Sequence, residues 1–326
     1  MVSQKLIFGV ILPHTLLFGG VRRFFELGEE FIHHGHEMII LTPDGLMPDW
    51  FDFSGKIDKL DNIGNYSFSA LFTTEPVFLS YLLNANSIKK IFYHVGPSAS
   101  LHEVLKHKEI DVFVNSTNLF LQDKKKYGIE AVKAFGGVHI PAEPKTIIDK
   151  RPTVIMCYGR LSRRGKGTHI VVKAVERIYK KGGDVSLLLF DTPIDEKSKQ
   201  LIENFKSTVP FVFVLNHPVD KNAELFKKAD IFVAVEKKGG WSNTAAVALA
   251  SGVPVIASNT GTRDFIIDGQ TGLKVWRNSY SVERAIKKMI NNVALRKQLA
   301  ANGREKVKSL SWQNLANFII NFVSKS

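Results

Sequence analysis

Cysteine is almost absent from this chain of 326 residues, which contains Cys157 alone. One cysteine excludes an intramolecular disulfide, and a chain without disulfides indicates a reducing, cytoplasmic setting. The apolar run around this residue, TVIMCYG, predicts a buried and unreactive thiol rather than a nucleophile.

Long apolar runs are also missing. No segment has 18 consecutive apolar residues, so no transmembrane helix is predicted. The first apolar run, residues 6–20, contains Pro13 and His14 and leads into an amphipathic helix pattern, which favours a first β-strand over a signal peptide. The chain is too long for one small core, and its length suits two domains.

Acidic residues are scarce in the second half. Residues 1–150 hold 15 Lys+Arg and 17 Asp+Glu, whereas residues 151–326 hold 29 and 14, so balances of −2 and +15 make up the net charge of +13. A basic half suits a nucleotide, peripheral contact with an anionic membrane, or simply a solvated surface. We expect no nucleic-acid partner, because the sequence has no recognised nucleic-acid module and no interleaving of aromatic and basic residues.

Continuous β-branched and aromatic runs alternate with helical patterns, as in parallel sheets covered on both faces. The predicted strands form two series, at residues 5–13, 37–42, 90–95, 111–115 and 137–141, then at 153–159, 185–191, 211–215, 230–235 and 253–258. Helical patterns lie at residues 20–36, 166–182, 222–229, 243–251, 281–292 and 294–308. This order predicts an α/β fold with two Rossmann-like, doubly wound domains.

A linker is predicted at residues 141–152, PAEPKTIIDKRP, which hold three prolines and five charged residues. We therefore expect one domain at residues 1–148 and a second at residues 149–310. Ligands of such domains bind at the carboxyl ends of the strands, so the loops there are the candidate sites.

Gly19 and Gly20 occupy the loop after the first predicted strand, directly before a helix. Two glycines there let the backbone approach an anion at the helix start, or they make a tight turn that needs positive φ. The pair alone does not decide between a ligand and a turn.

Four cations between Arg160 and Lys166 crowd the loop after the first strand of the second half. Their mutual repulsion would be relieved by an anion, and arginine offers a planar fork to phosphate oxygens. A solvated loop is the alternative, and it is the favoured interpretation for Arg163 and Arg164.

Ionisable side chains are absent between Lys238 and Arg263. The loop GGWSN in this stretch joins a predicted strand to the predicted helix TAAVALASG, for which Ser242 or Asn243 is a natural N-cap. A helix start directs backbone N–H groups and a positive dipole end at an anion, so the neutral loop can form a site from its backbone.

Four stretches in order resemble the retaining nucleotide-sugar glycosyltransferases of the GT-B fold, glycosyltransferase family 4, which includes a glycogen-synthase-like group. They are GGVRRFFELGEEFIHHGHEMIILTP, DVFVNSTNLF, GRLSRRGKGTHIVVKAV and ADIFVAVEKKGGWSNTAAVALASGVPVIASNTGTRDFIIDGQTGLKV. The resemblance implies two domains facing a cleft, the first for the acceptor and the second for the donor. It also implies that a closing helix, residues 311–326, packs back on the first domain and forms a hinge with the linker.

The same resemblance implies a UDP- or GDP-sugar donor. Arg160 and Lys166 would neutralise the leaving diphosphate, so that no metal is required. Main-chain amides would grip the sugar and phosphates at Gly240, Trp241, Ser242, Asn243 and Thr244. Gly19 and Gly20 would approach the donor, and the backbone around Val219 would flank the base.

His94, at the end of IFYHV, matches a position where many members keep a polar residue near the sugar. A strand-end histidine bonded to backbone is the alternative. Most members also carry two glutamates eight positions apart, and these positions are Gly239 and Val247 here. Glu236 takes the first glutamate's role in a variant pattern, whereas the second is absent.

Valine cannot accept a hydrogen bond from a ribose hydroxyl, and loss of a charged acceptor removes about 1.5–3 kcal/mol. The resemblance implies metal-independent, retaining transfer of a sugar to a glycan, a lipid or another acceptor. The alternative, suggested by Val247, is a nucleotide- or sugar-binding protein of the same fold without transferase activity.

Overall fold

The computed structural model describes residues 5–96, 100–149 and 151–325. Contacts divide the chain into two compact units. Unit 1 is Met1–Gly137 with Leu310–Ser326, and unit 2 is Val138–Ser309. The proline-containing segment 141–152 belongs to unit 2.

Unit 1 is built on a seven-stranded parallel sheet in the order β3-β2-β1-β4-β5-β6-β7. Its strands are β1 (Ile7–Ile11), β2 (Glu37–Thr42), β3 (Lys56–Lys59), β4 (Phe68–Thr73), β5 (Ser87–His94), β6 (Ile110–Val114) and β7 (Val132–Lys133). The strand predicted at residues 137–141 is wrong, because Gly137 has φ +111°, which a strand does not adopt.

Helices α1 (Gly19–His33), α2 (Leu79–Asn84) and α3 (Thr117–Tyr127) complete the first part of unit 1. The predicted apolar face of α1 is buried and includes Phe24, Phe25 and Phe31, which pack into the core of the sheet. Helix α3 begins after Ser116, whose side chain accepts a hydrogen bond from the amide of Leu119.

Unit 2 is built on a six-stranded parallel sheet in the order β10-β9-β8-β11-β12-β13. Its strands are β8 (Thr153–Tyr158), β9 (Val185–Asp191), β10 (Phe211–Leu215), β11 (Ile231–Ala234), β12 (Val255–Ala257) and β13 (Leu273–Lys274). The strand order reverses between β8 and β11, and a crevice at the carboxyl ends is expected at such a switch point.

The helices of unit 2 are α4 (Thr168–Lys180), α5 (Glu196–Glu203), α6 (Asn222–Lys227), α7 (Asn243–Ala250), α8 (Ser279–Ile290) and α9 (Val293–Lys308). Helix α4 packs against α8, whereas α7 packs against α6 and α9. None of the helices in the described ranges is long and apolar enough to span a membrane.

The last helix, α10 (Trp312–Ser324), packs on α1 within unit 1 and adds to its core the side chains of Trp312, Leu315, Ala316, Ile319 and Val323. Arg23 of α1 is almost fully buried beside it. The Arg23 guanidinium donates to Tyr93 Oη (3.1 Å) and Gly136 O (2.9 Å) and lies over the rings of Tyr93 and Trp312. This buried cation connects α1, β5 and α10.

Substituting Gly137 tests this packing. A Cβ at Gly137 would lie 2.4 Å from the Trp312 ring, and φ is +111°. We expect Gly137→Ala to lower the free energy of unfolding by roughly 2–5 kcal/mol, from backbone strain and overpacking together. The matched control is Gly128→Ala, at φ +71° with open space around the Cβ, which should cost only about 1–2 kcal/mol. Denaturant unfolding measures both, and equal losses would contradict the packing argument.

Candidate functional site

An ion pair joins the two loops at the switch point of unit 2. Lys166, in the loop after β8, places Nζ 2.6 Å from Oε2 of Glu236, which follows β11. The Glu236 side chain is 10% exposed and that of Lys166 is 30% exposed, so the lysine is the more accessible partner. The predicted candidates Lys166 and Glu236 therefore lie in direct contact.

Backbone packing fixes the position of Lys166. The residue ends a short 3-10 helix (Arg164–Lys166), and Gly167 then adopts φ +86° before α4 begins. A Cβ at Gly167 would lie 2.5 Å from the carbonyl oxygen of Val235, so only glycine allows this loop to approach β11 so closely. The Lys237 amide also donates to the Gly165 carbonyl at 2.8 Å.

Arg277 was not predicted from the sequence, although it connects the same two loops. Its Nε donates to the carbonyl oxygen of Val235 (2.9 Å), and its Nη2 donates to that of Arg164 (2.9 Å). No local motif marks it, because it lies 42 residues from one partner and 113 from the other.

Glu236 is held by further contacts on the side away from Lys166. Ser258 Oγ donates to the Glu236 carbonyl oxygen at 3.1 Å, and Ser242 Oγ lies 3.5 Å from Glu236 Oε1. Ser242 is the N-cap residue of α7, as predicted, but its side chain makes no capping hydrogen bond. The Ser242 hydroxyl is therefore directed to the Glu236 carboxylate instead of to the start of α7.

The loop before α7 and the first turn of α7 carry the backbone amides predicted to hold the donor, and not all of these amides are available. The Ser242 amide donates to Gly261 O at 2.8 Å and is thereby satisfied within the protein. Asn243 and Thr244 are the first residues of α7, where N–H groups have no acceptor within the helix. Both are partly exposed, whereas Gly240 is buried.

Trp241 is buried, and its ring packs edge-on against Phe265 with the centroids 4.9 Å apart. Its indole Nε1 has no hydrogen-bond partner within the part of the chain that the structure describes. The Trp241 ring therefore anchors the loop by packing against Phe265.

Val247 lies one turn after Asn243, so the two share a side of α7. Within α7, all of whose residues are described, only Asn243, Thr244 and Val247 are not buried. An apolar side chain thus occupies the open side of the helix, at the position where the resemblance implied a second carboxylate.

Arg160 is buried and ion-paired. Its Nε donates to Asp191 Oδ1 at 2.8 Å, its Nη2 donates to Thr192 O at 3.0 Å, and only 8% of its side chain is exposed. The sequence indicated a cation open to an anion, whereas the structure shows a guanidinium held between the ends of β8 and β9. Arg163 and Arg164, by contrast, are exposed.

Tyr158 and His169, which lie near the site, have shifted pKa values. Burial raises the pKa of the Tyr158 hydroxyl well above its ordinary value, and the nearby Asp191 carboxylate adds to the shift. Partial burial lowers the pKa of His169, and the guanidinium groups of Arg164 and Arg277 lower it further.

His94 ends β5 in unit 1, and its Nδ1 lies 2.8 Å from Asp123 Oδ2 of α3. Both side chains are fully buried, and His94 Nε2 has no hydrogen-bond partner among the described residues. The predicted alternative, a histidine bonded to backbone, is therefore wrong, because His94 Nδ1 contacts the side chain of Asp123.

Gly19 and Gly20 are the first two residues of α1, and neither adopts positive φ, so the tight-turn alternative is wrong. Val219 lies partly exposed in the loop after β10, where its carbonyl oxygen accepts from the Asn222 amide at 3.3 Å.

The single cysteine lies in the hydrophobic core of unit 2. Cys157 is buried, and burial raises the pKa of its thiol to about 12. Over residues 5–96, 100–149 and 151–325, no group of three or more His, Cys, Asp or Glu side chains could hold a metal ion.

Comparison with known proteins identifies relatives of both the sequence and the fold. Residues 141–306 match the family described as Glycosyl transferases group 1. The capsular polysaccharide biosynthesis glycosyltransferase CapM of Staphylococcus aureus is 29% identical over 181 residues, which are 53% of this chain and 47% of CapM. The chain spans about half the length of the curated relatives it matches.

Solved structures match over nearly the whole chain. Sucrose-phosphate synthase from Thermosynechococcus elongatus has a TM-score of 0.79 at 17% identity, covering 98% of this chain and 99% of that one. Anabaena HepE in complex with UDP-glucose has a TM-score of 0.76 at 11% identity, covering 99% and 100%. The predicted fold, two parallel-sheet α/β domains of the GT-B type, is confirmed.

Proposed function

The chain belongs to the Glycosyl transferases group 1 family, and on that premise we propose that it transfers a sugar from a nucleotide-diphosphate sugar to an acceptor with retention of anomeric configuration. Membership in glycosyltransferase family 4 is part of this proposal. HepE, a protein of the same fold, is described in complex with UDP-glucose, which supports a uridine nucleotide as the first donor to test.

The observation that carries the proposal is the arrangement at the switch point of unit 2. The Lys166 ammonium and the amides at the start of α7 lie on the two loops that flank the strand-order reversal. A diphosphate placed between them would receive a positive charge from one side and helix N–H groups from the other. Both interactions strengthen as the leaving group gains charge.

The proposed step breaks the bond between the anomeric carbon and the β-phosphate oxygen. The bonding electron pair leaves with the nucleoside diphosphate, and an acceptor hydroxyl forms the new bond on the same face and passes its proton to the departing phosphate oxygen. Lys166 stabilises the departing charge. Because Arg160 is held by Asp191 and Thr192, we propose that it contributes positive potential from behind the site rather than a direct contact.

Glu236 is assigned to the transferred sugar. Its carboxylate is paired with Lys166, so donor binding must either share the lysine between carboxylate and phosphate or release the carboxylate towards the sugar hydroxyls. The amides of Asn243 and Thr244 are assigned to the phosphates, whereas the satisfied Ser242 amide is not. His94, Gly19, Gly20, Gly240, Trp241 and Val219 remain proposed site residues.

A second candidate function rests on Val247. An apolar side chain on the open side of α7 offers no acceptor to ribose hydroxyls, which suits a protein that binds a nucleotide or a sugar without turning it over. The rest of the site, including the Lys166–Glu236 pair, would still bind an anion.

The two functions are separated by measuring binding and turnover on the same protein. Thermal shifts with UDP, GDP and their glucose, N-acetylglucosamine and mannose conjugates identify the nucleotide. Release of the free nucleotide is then followed with each donor that binds. We expect one donor to stabilise the fold and to be hydrolysed or transferred. Stabilisation without nucleotide release against a full acceptor panel supports the second function. If no donor stabilises the fold and no nucleotide is released, both functions are contradicted.

A further inference from the structure

Two aromatic side chains project from unit 2 next to the start of α8. Trp276 is 82% exposed and Tyr280 is 67% exposed. The Trp276 amide donates to Ser281 Oγ at 3.1 Å, so the tryptophan is tied to the first turn of the helix that carries Tyr280. Two large aromatic groups are therefore presented to solvent from one place.

Cations surround these rings. The Arg177 guanidinium of α4 lies 3.8 Å from the centre of the Tyr280 ring and donates to Ser279 Oγ at 3.0 Å. Lys173 and Lys180, four residues before and three after Arg177, share its side of α4 and are exposed. Arg284, four residues after Tyr280, is exposed on the same side of α8.

Trp276, Tyr280, Lys173, Arg177, Lys180 and Arg284 together define the α4–α8 face. The nearby acid Glu283 is already paired with Lys181 and Lys287, both at 3.0 Å, so it does not cancel the charge of this face. Glu176 of α4 instead accepts a hydrogen bond from Ser207 Oγ at 3.0 Å. The face is thus basic and aromatic.

We propose that the α4–α8 face docks on an anionic membrane surface. Tryptophan and tyrosine prefer the level of the lipid headgroups, where the ring is buried and the polar tip stays hydrated. Lysine and arginine beside them are attracted by anionic headgroups.

The positive charge of the α4–α8 face, and of the half of the chain that contains it, complements the negative charge of the proposed membrane surface. Residues 151–326 carry a balance of +15, whereas residues 1–150 carry −2. The proposal concerns binding, so it stands or fails independently of the proposed transferase activity.

Co-sedimentation of the full chain with vesicles tests the proposal. We expect binding to vesicles of phosphatidylcholine with phosphatidylglycerol, none to phosphatidylcholine alone, and a loss of binding as salt is raised. Lys173→Gln/Arg284→Gln should lower the partition coefficient roughly 25-fold, since each cation near such a surface contributes about fivefold. Trp276→Ser/Tyr280→Ser should lower it by at least about tenfold through lost apolar contact.

Matched controls remove the same groups elsewhere. Lys221→Gln/Lys228→Gln removes two exposed cations near α6, and Val77→Ser/Ile88→Ser removes two apolar side chains that are 75% and 76% exposed. Both should keep wild-type partitioning. Equal losses in variants and controls, or no binding to anionic vesicles, overturn the proposal. The proposal is also overturned if the protein does not bind vesicles and the same variants weaken its binding to heparin or to an acidic peptide. That result would assign the face to a macromolecular polyanion.

Discussion

Lys166→Met lowers kcat for release of the nucleotide from its sugar donor by about 10²–10³-fold, if Lys166 stabilises the leaving diphosphate. This is the usual cost of removing one preorganised group that meets the developing charge. Methionine is similar in length to lysine, so the loop between β8 and α4, which contains Gly167, should retain its packing. Initial rates of nucleotide release at saturating donor measure the effect.

Three companion variants separate catalysis from structure. Lys238→Met removes an exposed lysine of the following loop and should leave the rate unchanged. Lys166→Met leaves Glu236 buried without its cation, so Lys166→Met/Glu236→Gln should recover stability without recovering the rate. Lys166→Arg keeps the charge and should retain part of the rate. A double variant with near wild-type turnover would remove Lys166 from the proposed mechanism.

Arg160→Met lowers the free energy of unfolding by about 3–5 kcal/mol, the range observed when one partner of a buried ion pair is removed. The Asp191 side chain is 1% exposed, so without Arg160 its carboxylate remains buried and uncompensated. The amide of Thr192, which donates to Asp191 Oδ1 at 2.8 Å, does not supply the lost positive charge. Urea-induced unfolding of the wild type and the variant measures the loss.

The paired variant Arg160→Met/Asp191→Asn removes the charge together with its partner and should regain most of that stability. The matched control is Arg163→Met, which removes an exposed arginine three residues away and should change stability by less than about 0.5 kcal/mol. If Arg160→Met unfolds like the control while abolishing turnover, Arg160 acts directly on the donor, as the resemblance implied.

Strands were predicted well wherever the apolar run was continuous. The predicted strands at 185–191 and 211–215 have the bounds of β9 and β10. Strand β4 was missed because Ser69 interrupts the apolar run of its sequence, FSALFT, and α3 was missed because its surface is lysine-rich. The false strand at 137–141 failed through backbone conformation at a glycine, which no hydropathy pattern reports.

Candidate site residues were predicted one at a time from the sequence, but the ion pairs between them were not predicted. Lys166 and Glu236 were each identified from their own loops, whereas the ion pair between them spans 70 residues of sequence. Arg160 was read from a local cluster of cations, and its carboxylate partner lies 31 residues away. Whether a cation is free for a ligand depends on such distant partners, so sequence alone could not decide it for Arg160.

The hydrogen bond from the Gly137 amide to Leu310 O, 2.8 Å long, joins the two places where the chain leaves unit 1 and returns to it. Unit 2 is therefore one uninterrupted insertion within unit 1. On the ribosome, the core of unit 1 lacks Trp312 and the rest of α10 until residues 312–324 emerge. Unit 2, whose residues 138–309 are all made earlier, can complete its fold first, so the N-terminal sequence waits longest for its native partners.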